Sequence, residues 1–127
     1  MTGQKMSAHL IESLADELRN WLEDNELWSD CRIYFNGKAY STDDGSGQYD
    51  STKHHGWYEL EDIDPHDYFE YAGGVLSMSF EGPLYEVLNG YLGEYSREVC
   101  EKFDDIFHRY GLYYELGNSW NLSAYEE

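Results

Sequence analysis

Asp and Glu number 26 against 8 Lys and Arg, a formal charge of -18 over 127 residues. So many carboxylates repel one another and destabilise any compact state, and burying one without a partner is costlier still. A fold is open to this chain only if its apolar residues are patterned well enough to build a core while the acids stay in water. High charge with low hydropathy otherwise marks disorder. Here 17% of the residues are aromatic, with 13 Tyr, and the apolar spacing is regular. The chain is therefore expected to fold, and its length suits a single acidic domain over 1–127 with one core.

The apolar period changes along the chain and sets the expected elements. Over 7–25, Leu10, Ile11, Leu14, Leu18, Trp21 and Leu22 recur at helical spacing behind a capping Ser7, and Glu12, Asp16, Glu17, Glu23 and Asp24 take the other side. From Cys31 the period becomes two: Cys31, Ile33 and Phe35 face one way, Arg32 and Tyr34 the other, and Asn36-Gly37 turns the chain into a return strand over Lys38–Ser41. Residues 42–56 hold no apolar residue except Tyr49 and read as a flexible loop. Trp57–Leu60, Tyr68–Tyr71 and Val75–Phe80 are further strand candidates, with Gly73-Gly74 turning between the last two. Pro83 opens a short helix that ends at Asn89-Gly90. A second long helix over 96–110 turns Val99, Cys100, Phe103, Ile106, Phe107 and Tyr110 inward and stops at Gly111. Leu112–Leu116 and Trp120–Tyr125 close the chain as a hairpin around Gly117-Asn118-Ser119. The expected fold class is α+β: an antiparallel sheet of about five to six strands with two long helices packed on one face.

Cys31 and Cys100 are two isolated thiols in apolar patterns, which makes neither a disulfide framework nor a metal site. No run approaches the roughly 20 apolar residues that cross a bilayer, and the first residues lead into a patterned helix rather than an apolar signal core. A cytoplasmic protein is expected, with no membrane partner. The negative charge likewise argues against direct contact with nucleic acid.

Between His54 and Ser96 there is no Lys or Arg, while Glu59, Glu61, Asp62, Asp64, Asp67, Glu70, Glu81, Glu86 and Glu94 fall in that window. On a strand, residues two apart share a face about 6.6 Å apart, so Glu59 and Glu61 should project together. On a helix, residues four apart lie about 5–6 Å apart, which pairs Glu12 with Asp16 and Glu101 with Asp105. Such rows fit the Lys and Arg of a surface built to hold phosphates. The plain alternative is a solvated face. Tyrosine bears on the choice, because an exposed ring beside a carboxylate offers an arginine both stacking and pairing. Tyr34, Tyr49, Tyr58, Tyr68, Tyr71, Tyr91, Tyr95, Tyr113 and Tyr125 are too many for one small core, so several should be exposed. The candidate partner-binding set is Tyr58, Glu59, Glu61, Asp62, Asp64, Asp67, Tyr68 and Glu70, with the helix faces around Asp16 and Glu101 as competitors.

Catalytic signatures are missing. His54-His55 have no Cys or acid at zinc-ligand spacing, and Asp43–Asp50 lacks the glycine and terminal glutamate of a calcium loop. Asp64-Pro65-His66-Asp67 reads as a proline turn with Asp as its hydrogen-bonding first residue. No nucleophile elbow or phosphate-cradling loop is present. No enzyme, cofactor or metal is expected.

In composition, size and α+β layout the chain resembles the phage and mobile-element inhibitors called anti-CRISPR and antirestriction proteins, several of which act as DNA mimics. The stretch Phe80-Glu81-Gly82-Pro83-Leu84-Tyr85-Glu86-Val87-Leu88-Asn89-Gly90 has the look of a family signature. The resemblance implies an inhibitor that binds the basic nucleic-acid-binding site of a CRISPR effector or restriction enzyme in the host cytoplasm. An immunity protein that neutralises a basic nuclease toxin, and an acidic structural domain with no mimicry, are the other expectations. A homodimer stays open.

Overall fold

The computed structural model describes residues 6–42, 57–70 and 72–127. The loop expected over 42–56 lies outside the described residues apart from Thr42, as do Tyr49, His54, His55 and Tyr71.

The first helix, α1 (Ala8–Asp24), starts where the Ser7 hydroxyl accepts a 3.1 Å hydrogen bond from the Leu10 N–H, which satisfies one of the orphan amides of a helix start. Ile11, Leu14, Ala15, Leu18 and Leu22 form its buried stripe. Leu10, expected on that stripe, is 42% exposed instead. Strands β1 (Cys31–Phe35) and β2 (Lys38–Ser41) make the expected hairpin. Asn36 and Gly37 both take positive φ, 51° and 78°, the backbone that a tight two-residue hairpin turn requires. Then come β3 (Tyr58–Leu60), a 3-10 turn (Pro65–Asp67), β4 (Leu76–Phe80), α2 (Pro83–Leu88), α3 (Glu94–Arg109), β5 (Leu112–Asn118) and β6 (Asn121–Glu126).

The six strands form one sheet in the order β3-β2-β1-β4-β6-β5, and each neighbouring pair is antiparallel. The register sets Cys31 opposite Phe80, Ile33 opposite Met78, and Met78 opposite Leu122, so the apolar sets of three strands share one face. Both long helices cover it, and the main core joins their buried stripes to that face. Phe103 lies at its middle, with ring centroids 5.2 Å from Phe107, 5.3 Å from Tyr114 and 5.6 Å from Trp21. This is the α+β arrangement that the patterning predicts.

The opposite face is more polar. The hydroxyls of Ser77 and Ser123 lie 2.9 Å apart there, and Tyr34, Ala39 and Phe69 form a small second cluster with Leu60, Ile63, Ala72 and Trp120 against it. Phe69, only 5% exposed, sets its ring edge-on to Tyr34 and Trp120 at 5.5 and 5.7 Å. Burying such a ring contributes about 2–3 kcal/mol. That is enough to hold the stretch after β3 down on the sheet.

Two expected elements differ. Tyr68–Tyr71 is not a strand in its described part: Pro65 fixes φ at the start of a 3-10 turn, and the Tyr68 and Phe69 amides both bond back to the Pro65 carbonyl at 2.9 and 3.0 Å. The closing hairpin turns at Ser119-Trp120, with Gly117 and Asn118 still in β5. A register shift between Leu116 and Asn118 takes up the extra residue.

Candidate functional site

The eight expected residues all lie in the stretch that forms the edge strand β3 and then folds back over the sheet, and all eight are exposed: Tyr58, Glu59, Glu61, Asp62, Asp64, Asp67, Tyr68 and Glu70. Between them Leu60, Ile63 and Phe69 turn inward, so the acids stand on an anchored backbone. The Ile63 N–H donates to the Gly37 carbonyl at 2.9 Å and fastens the stretch to the β1–β2 turn. Asp62 takes a left-handed backbone, φ 54°, where the chain leaves the strand.

Two carboxylates in the set have environments of their own. A hydrogen bond shared with Glu59 raises the pKa of Glu61, with burial and the charge of Glu59 adding to the effect. The two acids therefore do project together. Asp64 accepts the His66 N–H at 2.9 Å and meets the His66 ring at 3.0 Å, and these bonds hold its carboxyl below the usual range. That is the expected turn role, so Asp64 serves the backbone as well as the patch.

The sequence window without Lys or Arg is not a surface without them. Lys38 on β2 reaches Glu59 at 3.4 Å and Glu12 at 3.9 Å, because β2 is the strand paired with β3. The Arg32 guanidinium, from β1, lies 5.0 Å from the Tyr68 ring centroid. Arg19 stacks in the same way 4.1 Å from Trp57. These bases escaped the linear reading because the fold brings them in from more than twenty residues away. Lys38 arrives by strand pairing, Arg32 by the fold-back of the 3-10 turn over the sheet, and Arg19 from α1.

The competing acidic faces divide. On α1, Glu12, Asp16, Glu17 and Glu23 are half-buried and each has a partner. Asp16 accepts the Tyr40 hydroxyl at 2.6 Å, Glu17 pairs with Arg109, and Glu23 pairs with Arg19 at 2.8 Å. The outer face of α3 keeps a second field, since Glu94, Glu98, Glu101 and Asp105 are all exposed at steps of four, three and four. At about 1.5 Å per residue this row runs about 16 Å along the helix. Of the tyrosines expected outside, Tyr58, Tyr68, Tyr91, Tyr95 and Tyr113 are exposed, whereas Tyr34 is 2% exposed and belongs to the second cluster.

A cleft of about 350 Å³ opens beside the 3-10 turn, lined among others by Asn36, Asp64, His66, Gly73 and Ser77. Its one acid, Asp64, is already bonded to His66. Among the described residues no three or more His, Cys, Asp or Glu gather to hold a metal, and no helix is long and apolar enough to cross a membrane. Compared with known proteins, the chain matches no family model, no curated protein and no solved structure.

Proposed function

We propose that the protein is an acidic inhibitor that occupies the nucleic-acid-binding site of a basic partner, with a CRISPR effector or a restriction enzyme in the host cytoplasm as the target class. The observation behind this is the stretch from Tyr58 to Glu70. It holds Glu59, Glu61, Asp62, Asp64, Asp67 and Glu70 exposed on a backbone that Leu60, Ile63 and Phe69 anchor to the sheet. An anchored row loses little freedom on binding, so charge-assisted bonds to Arg and Lys keep most of their worth. Tyr68 already accommodates a guanidinium from its own chain, which is the stacking an arginine of the partner would need at Tyr58. Long-range attraction would speed the encounter, and salt would weaken it.

The test is displacement of a labelled DNA duplex from a panel of CRISPR effectors and restriction enzymes. Glu61, Asp67 and Glu70 are the acids to reverse to Lys, because Glu59 is paired with Lys38, Asp64 holds the His66 turn and Asp62 has a positive φ. Displacement should weaken at least about a hundredfold, near 2.7 kcal/mol. Reversal of Asp24, Glu81 and Glu86, exposed acids outside both fields, should leave it within a few-fold. Failure of the wild-type protein to displace duplex from any member, or equal potency of the first variant with unchanged circular dichroism, refutes the proposal.

A further inference from the structure

The two edges of the sheet are unlike. β3 has three residues and carries Glu59, and short length with charge is an ordinary way to protect an edge from pairing. β5 has seven residues, one charge at Glu115, and neither Pro nor Lys. Among the described residues no strand pairs with its outer side. The hydrogen bonds show which groups face out. The Glu127 N–H donates to the Gly111 carbonyl at 3.0 Å, and two and four residues on Tyr113 stands opposite Tyr125 and Glu115 opposite Ser123. Gly111, Tyr113 and Glu115 thus direct their backbone groups at β6, and by the antiparallel alternation those of Leu112, Tyr114 and Leu116 point off the sheet. The bond from the Phe80 N–H to the Trp120 carbonyl, 2.8 Å, on the other side of β6 agrees with that alternation.

Beside this open row lies a cleft of about 260 Å³ lined by Asp104, Phe107, His108, Tyr113 and Tyr114. Phe107, fully buried, is its apolar floor. The Tyr114 hydroxyl donates a 2.5 Å hydrogen bond to Asp104 and fixes that carboxylate over the edge strand. Exposed Glu101 and Asp105 lie within a turn of Asp104 on the helix.

We propose that the β5 edge takes an extended basic segment of a partner polypeptide as a seventh strand, with one Arg or Lys of that segment seated against Asp104 in the cleft. Open main-chain groups select an extended chain, and a pocket beside them selects alternate side chains. The acids around the pocket select the sign of the charge, and a second copy of this chain would bring another -18 to the same edge. The assignment rests on the proposal that the partner is basic.

The probe is a fluorescein-labelled nine-residue peptide of alternating Arg and Val, measured by anisotropy, with two further peptides N-methylated on every Val or on every Arg. All three carry the same charge. The parent and one methylated peptide should bind alike, and the other, whose methyl groups face β5, should bind at least tenfold more weakly. Leu116→Pro, which removes an outward N–H, should weaken the parent peptide similarly, and Asp104→Asn should weaken it several-fold. If both methylated peptides bind like the parent, or if none binds while duplex displacement persists, strand addition is wrong and the acidic-inhibitor proposal still stands. A dimer of the protein alone that Leu116→Pro dissociates would assign the edge to a second copy and overturn the peptide.

Discussion

The Tyr40 hydroxyl donates a 2.6 Å hydrogen bond to the Asp16 carboxylate and ties β2 to α1. The device recurs. Tyr110 donates to Glu17 at 3.0 Å, and Tyr114 to Asp104 at 2.5 Å. In all three, burial and then the neighbouring acid raise the phenol's pKa. A chain with 26 acids and 8 bases has too few cations to satisfy the carboxylates its helices bring against the sheet. Tyrosine supplies the donors without adding charge.

Replacing Tyr40 by Phe should test the worth of such a pair. The ring would keep its edge-on packing against Phe35, 4.7 Å between centroids, while Asp16 would lose its donor. A hydrogen bond to a charged group is worth about 1.5–3 kcal/mol, and urea unfolding should show a loss in that range. Asp16→Asn should cost less, since the amide oxygen still accepts from the phenol. Equal stability of Tyr40→Phe and the wild type would show that water replaces the phenol there.

Alkali should unfold the protein earlier than its core suggests. Burial pushes the Cys31 thiol from 9.0 up to about 12, and the three phenols also sit above their ordinary 10.0. Each is a group whose protonated form the folded state favours. Its contribution is complete below the unfolded pKa and is lost as the pH rises toward the folded one. Urea midpoints should therefore hold up to about pH 9 and fall steeply above about pH 10. At pH 8, Ellman's reagent should label half-exposed Cys100 before buried Cys31. Labelling of both at one rate would contradict the burial of Cys31.

Local pattern made much of this fold legible. The stripe of α1 behind Ser7, the Asn36-Gly37 turn and the alternation of β4 are all carried by near neighbours, and the structure repeats them. Tyr68-Phe69-Glu70 was not legible, because its alternation is that of a strand while its fate depends on Phe69 meeting Tyr34 and Trp120. The exposure of the acids from Glu59 to Glu70 was readable from composition alone. The pairing of Glu59 was not, since Lys38 reaches it only through the pairing of β2 with β3.

Gly74 should be intolerant of a side chain where Gly90 is not. A Cβ at Gly74 would lie 1.9 Å from the Ala124 carbonyl oxygen at φ +68°, whereas at Gly90, φ +76°, it would meet nothing within 4 Å. Gly90→Ala bears only left-handed backbone strain, about 1 kcal/mol. Gly74→Ala adds a clash with the backbone of β6 and should cost about 3 kcal/mol or more. Thermal unfolding of the two variants would separate them by several degrees, and equal midpoints would contradict the close passage of Gly74 over β6.

Salt should act on folding and on partner binding with opposite signs. At about 0.01 M ionic strength the screening length is about 30 Å, long enough for the exposed acids of the β3 edge and of α3 to repel one another across the molecule. At about 0.15 M it falls to about 8 Å, and most of that repulsion is gone. Screening also weakens exposed pairs such as Arg97–Glu94, 3.7 Å apart, but each is worth at most about 1 kcal/mol and eight bases against 26 acids leave a net -18. The thermal midpoint should thus rise by several degrees as KCl goes from about 10 to about 150 mM, while displacement of duplex from a basic partner weakens over the same range. A midpoint that falls with salt would mean that the internal ion pairs outweigh the repulsion. Partner binding indifferent to salt would mean that the contact is apolar and that the carboxylates have no part in it.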